Sequence, residues 1–395
     1  MNNIDLVILA GGKGTRIKEY LYNYPKPMLK FNNIYFLQYL INNFTKYPFN
    51  KIYILTGYRH KIIHKKFHNK IVNFTRIICL KEKKLMGTGG ALLNLKKYKV
   101  NNFILTNGDT VFNINIKNFI KFYNKNKFGC IALVSKKRNK NSIKLNNLGI
   151  KKGKIYYKKK SNLINGGIYF LNKKLLNFIP KKYSSLETDI LHKFIKNDSI
   201  QGKIYKDFCL DIGTPNYLKI SEKRLAKEFT KPAVFLDRDG VINYDYGYVS
   251  KIQDFKFRTG VIEGLKYLSK KGYYIFIVTN QAGIAKGKFT EENFFKLQKI
   301  LKNSLSNKNI FFDDVQYCPF HPNGKIKKFQ KKSDLRKPGN KMIKNIFQKF
   351  LINKKKSFMI GDKLSDKKCA QKSRLRFFYA ENNFDKQVKK ILKLF

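Results

Sequence analysis

The sequence predicts two α/β domains in tandem. Short apolar runs alternate with helix-compatible stretches, the alternation breaks at a charged segment near residue 230 and then restarts, and 395 residues exceed what one ordinary core organises. The first run, IDLVIL (4–9), leads into a glycine cluster. Similar runs follow in KIYILTGY (51–58), RIICL (76–80), NFILTNGD (102–109), CIALVS (130–135) and GGIYFL (166–171). Runs this short and apolar suit strands buried on both faces. Between them, FLQYLINNFTKY (36–47) and NIKNFIKFYNKN (115–126) suit helices. Strands alternating with helices imply a largely parallel sheet.

The break is SEKRLAKEFTKP (221–232), a polar helical stretch ending in proline. It sets the expected boundary at 228/229, with domains of residues 1–228 and 229–395. The second half then reads strand 233–237, helix 260–270, strand 273–280, helix 290–306, strand 313–318, helix 340–351, strand 357–362, and a last helix and strand. No repeat of 20–50 residues is present, so the halves are different domains.

The net charge of +58 raises nucleic acid as a partner. Lysine is spread along the chain rather than gathered in an arm or face, which points to compositional drift and attraction for anionic substrates. No specific nucleic-acid site is expected, only salt-dependent, sequence-blind affinity. Cys79, Cys130, Cys209, Cys318 and Cys369 are odd in number and scattered, as free thiols in a reducing cytosol are. The N-terminus lacks a basic leader, and no apolar run approaches the roughly 18 residues of a membrane span. A cytoplasmic protein without a membrane partner is expected, and self-association into a homo-oligomer is left open.

Two constellations carry chemistry. In LAGGKGTR (9–16), Gly11, Gly12 and Gly14 let the backbone approach a polyphosphate, and Lys13 and Arg16 add positive charge. The pattern is neither a dinucleotide fingerprint nor a Walker loop, and alone it is equally a tight turn. YPKPML (24–29) holds Lys26 between prolines, and MGTGGAL (86–92) is a second glycine turn able to close over a base. Asp109 ends an apolar strand, and Asp211 stands in LDIGTPNY (210–217). Both suit Mg²⁺, though either alone is also a turn or cap residue.

In the second half, AVFLDRDGVIN (233–243) places Asp237 and Asp239 just past a strand, the first suited to nucleophilic attack on phosphorus and the second to proton transfer. Thr279 follows the next strand as a phosphoryl donor, Lys337 in LRKPG (335–339) screens charge, and Asp362 in MIGDKLSD (359–366) adds a carboxylate for Mg²⁺, with Asp366 nearby.

The ordered motifs GGKGTR, PKP, GTGGA, NGD and DIGTP resemble the sugar-1-phosphate nucleotidyltransferase family over about residues 3–225. NGGIYF (165–170) is similar to its sugar-binding strand and SLETDIL (185–191) to its acidic segment. The resemblance implies a Rossmann-like domain with a mixed sheet. It implies that Gly11, Gly12, Lys13, Gly14, Thr15 and Arg16, with Gly87, Thr88 and Gly89, hold a nucleoside triphosphate. Lys26 then holds the sugar phosphate, Gly167 and Glu187 the sugar, and Asp109 and Asp211 the Mg²⁺. Within the family the match is nearest the α-heptose 1-phosphate guanylyltransferases, which implies GTP.

DRDGVIN, GYV (247–249), TNQAGIAKG (279–287) and RKPG resemble the haloacid dehalogenase superfamily, in its heptose-1,7-bisphosphate and histidinol-phosphate phosphatase branch. This implies a second Rossmann-like domain with a parallel sheet. Asp237, Asp239 and Asp362 would hold Mg²⁺, and Arg336, Asn280 and Gln281 would line the substrate mouth. The branch commonly carries zinc on two pairs of Cys/His ligands. Here Cys318 and His321 supply one pair, Ser333 and Leu335 fall on the other, and no tightly bound zinc is expected. Together the halves imply C7 dephosphorylation of D-glycero-D-manno-heptose 1,7-bisphosphate followed by nucleotidyl transfer to the 1-phosphate. The alternative is a transferase for another sugar such as mannose 1-phosphate, joined to a histidinol-phosphatase-like partner.

Overall fold

The computed structural model describes residues 3–135, 148–158 and 160–395. The chain forms two compact units, one of Met1–Phe44 and Phe49–Leu225, the other of Thr45–Pro48 and Ala226–Phe395. The division falls inside the helix Pro215–Phe229, which includes most of the charged segment expected to be helical.

The strands of the first unit are β1 (Ile4–Ala10), β2 (Lys30–Phe31), β3 (Ile34–Tyr35), β4 (Lys51–Thr56), β5 (Ile71–Val72), β6 (Thr75–Lys81) and β7 (Asn102–Asn107). After them come β8 (Thr110–Phe112), β9 (Gly129–Ser135), β10 (Leu148–Lys151), β11 (Lys154–Tyr157), β12 (Leu163–Leu171), β13 (Ile200–Tyr205) and β14 (Cys209–Asp211). Ten of them make one sheet in the order β10-β11-β13-β9-β12-β7-β1-β4-β6-β5. β1 lies inside it, parallel to both its neighbours β4 and β7. Leu6, Val7 and Ile8 are wholly buried, which is why this strand reads as a continuous apolar run rather than an alternating one.

The sheet is mixed rather than largely parallel. β12 runs antiparallel to both β7 and β9, with a register shift between Asn165 and Tyr169 where Gly167 takes φ 75°. Apart from the sheet, β8 and β14 form a two-stranded antiparallel ribbon that opposes Thr110 to Asp211.

The second unit holds a five-stranded, wholly parallel sheet of β15 (Ala233–Leu236), β16 (Tyr274–Asn280), β17 (Asp314–Cys318), β18 (Phe358–Gly361) and β19 (Arg376–Tyr379), ordered β17-β16-β15-β18-β19. Helices such as Val261–Lys270 and Glu291–Asn307 connect them, the latter opened by a reciprocal Thr290–Asn293 capping box. A helix absent from the sequence reading, Phe384–Leu392, closes the unit. Its buried Phe384, Val388 and Ile391 recur at helical spacing. Gly264 admits it: a Cβ there would lie 2.5 Å from the Phe384 ring. Among the described residues no helix is long and apolar enough to cross a membrane.

Candidate active sites

In the first unit, β1, β7 and the β8–β14 ribbon bring their ends to a cavity of about 690 Å³. The glycine turn after β1 forms one wall. A Cβ at Gly11 would sit 2.3 Å from Glu82 Oε1 and displace that carboxylate, and Gly14 has φ 67°. Lys13, Arg16 and Lys26 bring positive charge to the wall. Lys26 Nζ lies 2.7 Å from Asp109 Oδ2. The ribbon carries Asp211 beside Asp109: Ile212 N–H donates to the Asp109 carbonyl at 2.9 Å. Asp211 Oδ1 accepts from Gly213 N–H at 2.5 Å.

The opposite wall is a clasp. Gly89 N–H donates to the Ser184 carbonyl and Ser184 N–H to the Met86 carbonyl, both at 2.9 Å. Thr88 Oγ1 donates to Glu187 Oε2 at 3.3 Å, and Tyr169 Oη donates to Glu187 Oε1 at 3.1 Å. Burial and the Glu187 carboxylate keep the Tyr169 phenol far above its ordinary pKa, so it stays a donor. Glu187 sits in a π-helical turn, Leu186–Leu191, a geometry frequent at functional sites. Gly87, Thr88, Gly167 and Glu187 all line the cavity. Thr15 and Gly89 do not. Thr15 opens a 3₁₀ turn, and Gly89 is buried where a Cβ would meet Ile190 at 2.4 Å.

Glu82 was not singled out by the sequence, where it is one acid among lysines (LKEKKL). The structure buries it to 7 % exposure in the cavity wall. Its Oε2 accepts Met86 N–H at 3.3 Å, and burial pushes its pKa up.

In the second unit the carboxyl ends of β15, β16 and β18 meet, as ligand sites of open α/β sheets do. Lys337 Nζ, almost wholly buried, lies 2.9 Å from Asp237 Oδ2 and 2.6 Å from Asp366 Oδ1, and donates to the Val278 carbonyl at 2.9 Å. Burial lowers the lysine's pKa, but the two carboxylates outweigh it and leave it raised. Asp237 is pushed up to about 6, chiefly by burial, against the pull of Lys337. Asp237, Asp362 and Asp366 place carboxylate oxygens within 4.8 Å of one another. Asp362 Oδ1 is buried with no hydrogen-bond partner, and burial raises its pKa. A hard cation satisfies such an all-oxygen set, so the residues fit Mg²⁺.

Asp239 stands apart from that cluster. Its Oδ1 accepts from Arg238 Nε (3.0 Å) and Nη2 (2.8 Å) and from Asn243 Nδ2 (3.0 Å), and its Oδ2 from Arg238 Nη2 and Gln281 Nε2 (both 2.9 Å). Both its oxygens are so engaged, and the side-chain carboxylates that converge are those of Asp237, Asp362 and Asp366 rather than that of Asp239. Asn280 faces the backbone of Lys337 instead of an open mouth, accepting its N–H at 3.0 Å and donating to its carbonyl at 3.1 Å. Thr279 is buried at the end of β16, and Arg336 Nη1 is buried without a hydrogen-bond partner, a donor free for an anion. Cys318 is buried with Sγ 3.7 Å from the Phe320 carbonyl, and His321 Nδ1 accepts Asn323 N–H at 3.1 Å.

Residues 6–228, more than half of the chain, match the nucleotidyl transferase family. The chain belongs to that family. Its second unit, residues 236–390, matches the family described as polynucleotide kinase 3 phosphatase. This part is 47 % identical over 139 residues to the D-glycero-beta-D-manno-heptose-1,7-bisphosphate 7-phosphatase of Photorhabdus laumondii, covering 35 % of this chain and 74 % of that one. It is 44 % identical over 139 residues to the Escherichia coli K12 protein of the same name, covering 35 % and 73 %. Among solved structures, HddC from Yersinia pseudotuberculosis is similar at 29 % identity and a TM-score of 0.47, covering 56 % of this chain and 99 % of that one. This nucleotidyl transferase is therefore also a phosphatase, with each activity in its own unit.

Proposed function

We propose that the chain performs two consecutive steps on one sugar. The second unit removes the C7 phosphate of D-glycero-D-manno-heptose 1,7-bisphosphate. The first joins the resulting 1-phosphate to GMP from GTP, releasing pyrophosphate. The observation that carries this reading is the pairing. A phosphatase half whose relatives bear the 7-phosphatase name shares a chain with a nucleotidyl transferase, and the product of one reaction is of the class the other consumes. Both substrates are anions, in keeping with the net charge of +58.

In the second unit, an Asp237 oxygen attacks phosphorus and the bond to the sugar oxygen breaks. Asp239 gives that oxygen a proton, then takes one from the water that cleaves the aspartyl-phosphate. Thr279 and Arg336 donate to phosphoryl oxygens, and Lys337 holds Asp237 and Asp366 in place. Asp237, Asp362 and Asp366 would hold Mg²⁺ here, and Asp109 and Asp211 in the first unit. When bound, the ion neutralises charge on the phosphoryl oxygens.

In the first unit, the 1-phosphate oxygen attacks the α-phosphorus without a protein nucleophile. Lys26 orients the attacker, while Lys13, Arg16 and the glycine turn hold the triphosphate. Glu82 favours guanine. A carboxylate offers two acceptors, and guanine alone among the common bases presents adjacent N1–H and N2–H donors to meet them.

The test is to incubate the full chain with each anomer of the bisphosphate, Mg²⁺ and each nucleoside triphosphate, and to weigh the products. GDP-heptose is expected. Phosphate release without a nucleotide sugar from any triphosphate would defeat the coupled reading, and absence of phosphate release would defeat the substrate.

A further inference from the structure

Gln281 was expected at the substrate mouth, yet its side chain is buried to 3 % exposure. Its backbone N–H donates to the Cys318 carbonyl at 2.8 Å, and the residue opens the short helix Ala282–Ala285, so its Cα is fixed. A primary amide nitrogen carries two hydrogens, and both are used here. One goes to Asp239 Oδ2 and the other to Thr279 Oγ1, each at 2.9 Å. The carboxylate fixes which end of the amide lies there, since the amide oxygen in that place would face another acceptor. Because Thr279 Oγ1 accepts from Gln281, its own hydrogen is left to donate in another direction. Of the three side chains gripping Asp239, Arg238 and Asn243 belong to the loop after β15, whereas Gln281 comes from the end of β16. It therefore ties the strand end that binds phosphate to the one that moves protons.

We propose that Gln281 is a positioning residue of the phosphatase: one amide nitrogen turns the Thr279 hydroxyl into a donor for the phosphoryl group and holds the Asp239 carboxylate beside it. The inference rests on the phosphatase assignment and not on the identity of the sugar. Gln281→Met keeps the length of the side chain and removes both donors. The full chain is assayed on two esters. One is a primary alkyl phosphate, whose leaving oxygen needs a proton: the heptose bisphosphate, or sn-glycerol 3-phosphate should that sugar prove wrong. The other is p-nitrophenyl phosphate, whose phenolate leaves without one. The variant should lose about 100-fold in kcat on the alkyl ester, the scale of a displaced general acid, and less than about tenfold on the aryl ester, the scale of one neutral hydrogen bond. Gln281→Glu, which fills the same volume and sets a like charge against Asp239, should show the same selective loss, and it carries the test if the methionine variant fails to fold. Equal losses on the two esters, or no loss, would overturn the proposal. A wild-type chain inactive on both would overturn the phosphatase assignment beneath it.

Discussion

In the first unit the groups awaiting phosphate surround a cavity of about 690 Å³, one wall of which is the glycine backbone of the turn after β1. In the second unit they are side chains out of water: Lys337 and Asp366 are almost wholly buried, and Asp237 nearly so. The difference follows the chemistry. Nucleotidyl transfer asks the protein for placement and a surface complementary to a large ligand, so space is the resource. Phosphate-ester cleavage through an aspartyl intermediate needs one carboxylate of defined ionisation and direction, and burial within an ion network supplies both. Removing charge should accordingly abolish one activity outright, while reshaping the cavity should change what the other selects.

The largest expected effect tests whether the two sites are independent. Asp237→Asn removes the nucleophile and should lower phosphate release by about 10³-fold or more. Nucleotidyl transfer from supplied heptose 1-phosphate should stay within about twofold, since the altered side chain lies in the other unit. Parallel loss of both activities, followed by phosphate and nucleotide-sugar assays on one preparation, would dissolve the comparison. Next in size is Lys26→Ala. The lysine's 2.7 Å pair with Asp109 would be lost, and transfer should fall by about 10²-fold with phosphatase activity untouched. A change in KM alone would make Lys26 a binding group rather than an orienting one.

The two α/β units were legible in the sequence because buried strands write themselves as apolar runs, and because the candidate acids Asp109, Asp237 and Asp362 stand at the ends of such runs. What escaped depends on approach from elsewhere in the chain. Glu82 reads as a surface acid among lysines until the fold brings Gly11 against it. Asp366 was noticed only as a neighbour of Asp362, and its partner Lys337 is 29 positions away. The resemblance to the phosphatase branch put Asn280 and Gln281 at the substrate mouth. Their amides instead turn inward, to Lys337 and to Asp239. The direction of β12 was equally unreadable by period, since parallel and antiparallel buried strands share the same apolar pattern.

Sharpening the first unit's side of the contrast, Glu82→Gln replaces one acceptor with a donor. Discrimination of GTP against ATP should weaken by about 1–3 kcal/mol, the value of a bidentate base contact. Competition between the two triphosphates reads it directly. Unchanged preference would mean that Glu82 does not read the base.

The smallest effect asks whether buried charge in the second unit is confined to its site. Lys302 is 8 % exposed, and burial lowers its pKa to about 7 against the attraction of Asp314. The sign follows from linkage. Below pH 7 the folded chain must bury an ammonium, so the full cost is present. Between pH 7 and the unfolded lysine value the folded state has shed the proton and the unfolded state has not, so stability rises with pH. From pH 7 to pH 8 the wild type should therefore gain about 1 kcal/mol on Lys302→Met in urea unfolding. Asp314 remains paired in the variant, because Lys349 Nζ lies 3.0 Å from it. A flat difference across that interval would mean that Lys302 keeps its charge, and that this unit tolerates buried cations well beyond the phosphate site.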